Sequence, residues 1–233
     1  MPRIIIPILF VLLFSGCRNN QKEESAEKEP PADTVVKKTN NTFPIDDFDD
    51  LVKKYEDPER INWQNPEKVI EKMGNLSGKT VADIGVGTGF FAFRLVRKGA
   101  RVIGIDIEEK FLEYIENRKS DLPGSLSGNI ATRLTVPDDP NLAPNEVDWV
   151  LIVNTYYILD NRISYLQKIR QGLKTGGKLI VVDYKAGDLP VGPSEDEKIK
   201  ANDAVVEMEE AGFHIIDKDL NSLQYQYIIV AQK

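Results

Sequence analysis

The segment Val81-Ala-Asp-Ile-Gly-Val-Gly-Thr-Gly89, followed by Gly104-Ile-Asp-Ile107, constrains this chain more than any other. An apolar strand ends in an acid, opens into three alternating glycines and runs into a helical pattern. A second short strand then ends in Asp106. Gly85, Gly87 and Gly89 lack a Cβ, so the backbone can turn tightly there and approach a ligand closely. A helix starting near Gly89 directs its free N–H groups at the same place. In a doubly wound sheet, ligands sit at the carboxyl ends of the strands. Asp106, at such an end, is positioned to accept both hydroxyls of a ribose. The unit reads as a nucleoside-binding crossover.

Two residues narrow the nucleoside. A dinucleotide fingerprint has the form Gly-x-Gly-x-x-Gly, and Phe90 occupies its third glycine position. Asp83 precedes the loop, and a carboxylate there repels a pyrophosphate but suits an ammonium and a sulfonium. Asp83 and Phe90 therefore count against a nicotinamide-dependent oxidoreductase.

The rest of the chain alternates in the same way. Strands are expected at Thr80–Ile84, Arg101–Ile105, Ile130–Val136, Val147–Val153 and Lys178–Val182. Helical patterns lie between them near Phe90–Lys98, Glu108–Arg118 and Arg162–Gly172, and such alternation indicates a parallel sheet with helices on both faces. A further helix is expected over Ser194 to Ala211. Phe213–Ile216 and Gln224–Val230 then form two closely linked strands, an antiparallel pair at the sheet end. Upstream, Ile45 to Tyr55 has helical spacing. Asn65-Pro66-Glu67 is a cap, a first-turn proline and an acid at a helix start, and that helix is expected to run to Met73 before Gly74.

The N-terminus differs in kind. Met1-Pro-Arg3 is a short positive start, and Ile4 to Phe14 is an apolar run interrupted by Pro7. It is shorter than the ~20 residues a bilayer-spanning helix needs and has the size of a signal-peptide core. Leu13-Phe-Ser-Gly-Cys17 resembles the lipobox of bacterial lipoproteins, which implies cleavage before a lipidated Cys17. The competing reading is an ordinary secretory signal with an incidental cysteine. Cys17 is the only cysteine, so no intramolecular disulfide or thiolate cluster can form. Arg18 to about Thr42 is rich in Asn, Gln, Lys, Glu and Pro, too polar to offset chain entropy, and reads as a tether. Within it Gln21-Lys-Glu-Glu24 either resembles a surface-export signal of Bacteroidetes lipoproteins or is plain linker. The expected organisation is a signal peptide at 1–16, a lipidated cysteine with its tether at 17–44 and a domain at 45–233. The expected location is membrane-anchored, in a bacterial periplasm or on the cell surface. A net charge of -7 provides no basic field for nucleic acid, so none is expected as a partner.

Asp83-Ile-Gly-Val-Gly-Thr-Gly89 resembles the first motif of class I S-adenosylmethionine-dependent methyltransferases, and the resemblance extends over about Arg60 to Lys233. Gly104-Ile-Asp106, Val147-Asp-Trp-Val-Leu-Ile-Val153, Leu173-Lys-Thr-Gly-Gly-Lys-Leu179 and Ala211-Gly-Phe213 agree with it. It implies an α/β fold on a doubly wound, mostly parallel seven-stranded sheet of order 3-2-1-4-5-7-6, with strand 7 antiparallel. It also implies S-adenosyl-L-methionine as cofactor and a small-molecule or lipid-like methyl acceptor. Carried over by position, Asp83, Gly85, Gly87 and Gly89 hold the methionine moiety, Asp106 the ribose, and Asp138 or Asp139 the adenine amine. Asn154, Thr155 and Tyr156 border the methyl group. Tyr156 or Tyr157 orients the acceptor, and Asp183, with Tyr184 and Lys185 beside it, is the candidate for acid–base work. The competing roles are packing for Tyr157 and loop capping for Asp183. In a bacterial subgroup that this chain is similar to, His-His often follows Asn-Thr-Tyr. Tyr157 and Ile158 stand there instead, which motivates a competing reading as a non-catalytic nucleoside-binding lipoprotein.

The remaining residues have plainer expectations. His214 is the chain's one histidine, has no partner by spacing, and no metal site is expected. Trp63 with Arg60 either lids the cofactor pocket or pins the N-terminal segment. Glu207, Glu209 and Glu210 read as a solvated helix face.

Overall fold

A computed structural model describes residues 48–233. The expected signal peptide, Cys17, the tether and the first residues of the expected domain lie outside the described residues. Three helices precede the sheet: α1 (Phe48–Tyr55), α2 (Glu59–Gln64) and α3 (Pro66–Met73). The strands are β1 (Thr80–Ile84), β2 (Arg101–Asp106), β3 (Ile130–Leu134), β4 (Val147–Val153), β5 (Leu173–Tyr184), β6 (His214–Asp219) and β7 (Gln226–Gln232). Between them lie α4 (Ala92–Arg97), α5 (Glu109–Arg118), α6 (Gly124–Ser127), α7 (Arg162–Gly172) and α8 (Ala201–Glu210).

The strands form one sheet in the order β3-β2-β1-β4-β5-β7-β6. β7 runs antiparallel to β5 and β6, and the other pairings are parallel. This is the topology expected from the resemblance. β1 and β4 are buried on both faces, which explains their continuous apolar runs. Alternate residues then serve two cores. Val81, Leu151, Ile180 and Ile228 pack with α3 and α4 residues such as Val69, Met73 and Leu95. Ala82, Val150, Val181 and Ile229 pack with Leu166 and Ile169 of α7 and Met208 of α8. Each fully buried Val, Leu or Ile contributes roughly 1.5–3 kcal/mol. That burial, rather than helix propensity, holds elements as short as the six-residue α4.

Several boundaries differ from expectation. The helix expected over Ser194 to Ala211 is broken. Ser194 and Glu197 close a capping box around one 3-10 turn, Glu195–Glu197. Lys198 then turns extended, and its buried amine donates to the Gly187 carbonyl at 2.7 Å. α8 starts only at Ala201. β5 begins at Leu173 rather than Lys178, because Leu173 to Gly177 continues the strand through a register shift against β4. β3 ends at Leu134, and Val136 instead bridges Asp139 across a tight turn. The short helix α2 was not anticipated. Asn65 caps α3 as expected, accepting from the Lys68 N–H.

Candidate active site

The carboxyl ends of β1, β2, β4 and β5 meet the start of β7. The glycine loop after β1 is pinned by β2, since the N–H groups of Gly85 and Val86 both donate to the Ile105 carbonyl, at 2.9 and 3.1 Å. Asp106 ends β2, and its two carboxylate oxygens accept from the Gly87 N–H at 2.9 Å and the Glu108 N–H at 3.1 Å. Each oxygen keeps a second lone pair, so the group can still accept two vicinal hydroxyls. Burial raises the Asp106 carboxyl above its ordinary range, opposed by these backbone N–H groups.

The three glycines do different work. A Cβ on Gly85 would lie 2.3 Å from the Thr155 Oγ1 atom, and one on Gly89 would lie 2.7 Å from the Phe93 ring. Both are packing positions. A Cβ on Gly87 would meet nothing closer than the Tyr55 ring at 3.5 Å. Gly87 is thus the loop position where a first side-chain atom fits, in ordinary van der Waals contact with the Tyr55 ring. Beside it Thr88 is buried, with its hydroxyl oxygen unpartnered.

Asp83 is buried at the end of β1. Burial pushes its carboxyl up to about 7, against the opposing effects of the Arg60 guanidinium and the Ala92 backbone N–H. Arg60 comes from α2 and is itself lowered to about 10 by burial, despite the neighbouring Tyr184, Glu56 and Asp83. Its guanidinium lies 4.1 Å from the centre of the Phe90 ring and donates to the Tyr55 carbonyl at 2.9 Å and to the Gln64 side chain. Of the two roles weighed for Trp63 and Arg60, pinning the N-terminal segment is the one these contacts show. Trp63 packs against Tyr184 of β5 and Tyr225, with ring centres 6.4 and 6.3 Å apart.

The other expected site residues divide. Asn154 follows β4 in the left-handed region at φ 55° and accepts from the Gln226 side chain. Tyr157 is half-buried, its ring 6.3 Å from Tyr184 in an edge-to-face contact. Burial, followed by the charges of Asp183, Tyr55 and Glu197, pushes its phenol up to about 12, so it stays protonated at neutral pH. Asp183 is 1% exposed. Its oxygens accept from the Tyr157 N–H at 3.1 Å and the Tyr184 N–H at 2.7 Å, and burial pushes the carboxyl up to about 7. That geometry ties the turn after β4 to the end of β5, a positioning task rather than acid–base work. Asp138 is exposed on the turn after β3, where its carbonyl accepts from Lys168 at 2.6 Å.

Tyr156 does not join this group. It is fully buried among the α7 and α8 side chains, and its hydroxyl donates to the Glu207 carboxylate at 2.5 Å. Arg162 donates to the same carboxylate from Nε and a terminal nitrogen, each at 2.8 Å at its nearer oxygen. Glu207 is therefore no solvated charge but the centre of an α7–α8 network. The expectation that Tyr156 borders the methyl group is corrected: the turn it opens sends its side chain to the other face of the sheet. Tyr156→Phe should cost about 1.5–3 kcal/mol of stability, the value of a hydrogen bond to a charged group. Chemical denaturation measures that loss, and cofactor affinity should not change with it. Tyr55, Gln64 and Gln226 were not singled out beforehand. Gln226 falls in the strand expected over Gln224–Val230, but nothing local marks it as facing Asn154.

The donor set fits a nucleoside bearing an ammonium and a sulfonium: a carboxylate with free lone pairs for a ribose, a glycine loop bonded to it and a second buried carboxylate. Among the described residues no group of three or more His, Cys, Asp or Glu side chains could hold a metal ion.

Comparison with known proteins agrees with this geometry. Residues 82–181 match the family model for a methyltransferase domain. A methyltransferase of Geobacillus sp. (strain WCH70) is 25% identical over 190 residues, covering 81% of this chain and 82% of that protein. A demethylmenaquinone methyltransferase of Tropheryma whipplei (strain Twist) is 33% identical over 112 residues, covering 48% of this chain and only 44% of the relative. A crystal structure of a SAM-dependent methyltransferase from Aquifex aeolicus superposes with a TM-score of 0.72 at 25% identity, covering 80% of this chain and 98% of that one. The nucleoside-binding crossover read from the glycine loop lies in the segment that matches a methyltransferase domain, and the similarity supports an S-adenosylmethionine-dependent methyltransferase with S-adenosyl-L-methionine as its cofactor.

Proposed function

We propose that this chain is a lipid-anchored, exported S-adenosylmethionine-dependent methyltransferase that acts on a small-molecule or lipid-like acceptor. The observation that carries the enzymatic part is the pairing of the glycine loop with the Asp106 carboxylate, which accepts from the Gly87 N–H at 2.9 Å. In this reading Asp106 holds the ribose, and Asp83 faces the ammonium of the methionine moiety. The backbone from Gly85 to Gly89 cradles that moiety. Ile107 and Val136 are apolar yet 45% and 54% exposed, a fit for the two sides of an adenine. The cofactor supplies an electrophilic methyl carbon on a cationic sulfur. The chain's own task is to position the acceptor and exclude water. Asn154, held by Gln226, and Tyr157, held by Asp183, border the entrance of the acceptor.

Support for a lipid-like acceptor comes from the relative named for demethylmenaquinone, and support for the anchor comes from Leu13 to Cys17. Two experiments test the reading. Calorimetric titration of the full chain with S-adenosylmethionine and S-adenosylhomocysteine should give saturable binding, with NAD as the non-binding control. Transfer of radiolabelled methyl to an extracted small-molecule pool should follow, and absence of both would overturn the enzymatic reading. Cys17→Ala should abolish palmitate labelling in the producing cell, and persistent labelling would rule out the anchor site.

A further inference from the structure

Beyond the cofactor loop, α2 closes over a second group of side chains that the nucleoside chemistry does not use. Trp63, Tyr157, Tyr184 and Tyr225 form a chain of ring contacts at 6.3–6.4 Å between centres, centred on Trp63 and Tyr184. Tyr184 and Gln226 are direct cross-strand partners, so their side chains leave the sheet on the same face. Asp83 lies on that face too, two residues after Val81. Gln226 is fully buried, and with its amide nitrogen donated to Asn154 its carbonyl oxygen Oε1 has no partner. Gln64, the last residue of α2, is also fully buried. Its oxygen accepts from Arg60, and its Nε2 has no partner. Buried amide atoms left unpaired are costly, and here one acceptor and one donor accompany a set of aromatic faces.

Charge narrows what these groups can take. The cation that acts on Tyr184, Arg60, is bonded to the Tyr55 carbonyl and to Gln64 and faces the carboxylates Asp83 and Glu56. These two carboxylates offset its charge and leave no net positive charge for an incoming carboxylate or phosphate. The carboxylate beside them in the chain, Asp183, follows Val181 in strand alternation and leaves β5 on the face opposite Tyr184. It is therefore not placed to pair with an ammonium there. A neutral, planar ring carrying a hydroxyl meets all the conditions at once. Its faces stack on Trp63 and Tyr184, its O–H donates to Gln226 Oε1, and an oxygen on it accepts from Gln64 Nε2.

We propose that Trp63, Tyr157, Tyr184 and Tyr225, with the unpartnered amides of Gln226 and Gln64, are the acceptor subsite, and that the acceptor is an uncharged hydroxyaromatic ring. This rests on the methyltransferase reading above and adds the acceptor class. Methylation of such a ring needs no further reactant. The hydroxyl oxygen bonds to the methyl carbon as the carbon–sulfur bond breaks, with that bond's electron pair left on sulfur and the hydroxyl proton released to solvent.

The test uses three probes with one ring and three charges: 2-naphthol, 2-naphthoate and 2-naphthylmethylammonium. S-adenosylhomocysteine is first titrated into the full chain alone, and its failure to bind would count against the cofactor reading only. Each probe is then titrated into the chain with and without S-adenosylhomocysteine. 2-Naphthol should bind at least about tenfold more tightly than either charged analogue, because a charge buried without a partner is strongly disfavoured. Trp63→Ala and the milder Tyr225→Ala should each weaken 2-naphthol by about tenfold, the scale of a lost aromatic stacking partner. Gln226→Leu should weaken 2-naphthol by about fivefold while leaving both charged probes unchanged. Equal or tighter binding of a charged probe, or 2-naphthol affinity indifferent to Trp63 and Tyr225, would overturn the subsite.

Discussion

Gly87→Val is expected to lower affinity for S-adenosylmethionine at least about a hundredfold, equivalent to ~2.7 kcal/mol. The neighbouring substitutions Gly85→Ala and Gly89→Ala should act mainly on stability. The distinction follows from the space around each position. A Cβ at residue 85 would meet three atoms of the short Thr155 side chain at 2.3–3.0 Å, and one at residue 89 would meet the Phe93 ring and Ile115. Neither can be accommodated without shifting the turn after β4 or the first turn of α4. At Gly87 the first atom fits, and the damage comes from the valine branches occupying the space a ligand would approach. Gly87 also sits at φ 52°. A branched side chain there carries about 1–2 kcal/mol of backbone strain, so a loss of a few degrees in melting temperature is expected alongside the binding defect. Calorimetry paired with thermal melting separates the two effects. Cofactor affinity within about threefold of the unmodified chain would mean that the loop is not the site.

The same three glycines show how much of the site is legible in a sequence. Their spacing, with Asp83 before and Asp106 after, predicts a nucleoside cradle because a tight turn with positive φ at each of the three positions takes glycine, and carboxylates at the strand ends face the ligand side. The buried strands were legible for a similar reason: continuous apolar runs such as Val147–Val153 have only one place in a layered fold. Facing direction was not legible at Tyr156. The 3-10 turn Tyr156–Ile158 rotates successive side chains away from strand alternation, so Tyr156 goes to Glu207 while Tyr157 goes to Tyr184. The break at Lys198 was equally hidden, since a buried amine on the Gly187 carbonyl is a tertiary contact that overrides a helical pattern. The α2 segment was the least legible part. Arg60, Trp63 and Gln64 come from the six-residue α2, too short to show a periodicity, and Arg60 faces Asp83 and Trp63 packs on Tyr184 and Tyr225, all more than twenty residues away in the chain.

Affinity for S-adenosylhomocysteine should rise with pH up to about 7 and then level off, and Asp83→Asn should remove this dependence. The free Asp83 carboxyl titrates near about 7 because burial outweighs the favourable charge of Arg60 and the Ala92 N–H. A cationic ammonium placed against it binds the ionised form preferentially, so the carboxyl titrates lower in the complex. Binding below about pH 7 must then displace a proton, with a limiting slope of about tenfold per pH unit by linkage. Calorimetry at pH 6.0 in two buffers of different ionisation enthalpy should therefore report proton release, which fades by pH 8. Asp183 also titrates near about 7, but it is bound to backbone N–H groups rather than facing the ligand, so Asp183→Asn should leave the release intact. Folding stability has the opposite sign. Asp83 and Asp183 both have folded values raised above the ordinary 3.8, so the folded chain binds more protons than the unfolded one between about pH 4 and 7. These two groups make the fold less stable as pH rises through that window, with the full cost present above pH 7. Asp83→Asn should accordingly stabilise the unliganded fold at pH 8 while weakening the cofactor about tenfold or more, since one charge-assisted contact is lost. A variant that binds as tightly as the unmodified chain at pH 8 would show that Asp83 does not face the ammonium. Gained stability with lost affinity is the pattern expected of a carboxylate kept buried for its ligand rather than for the fold.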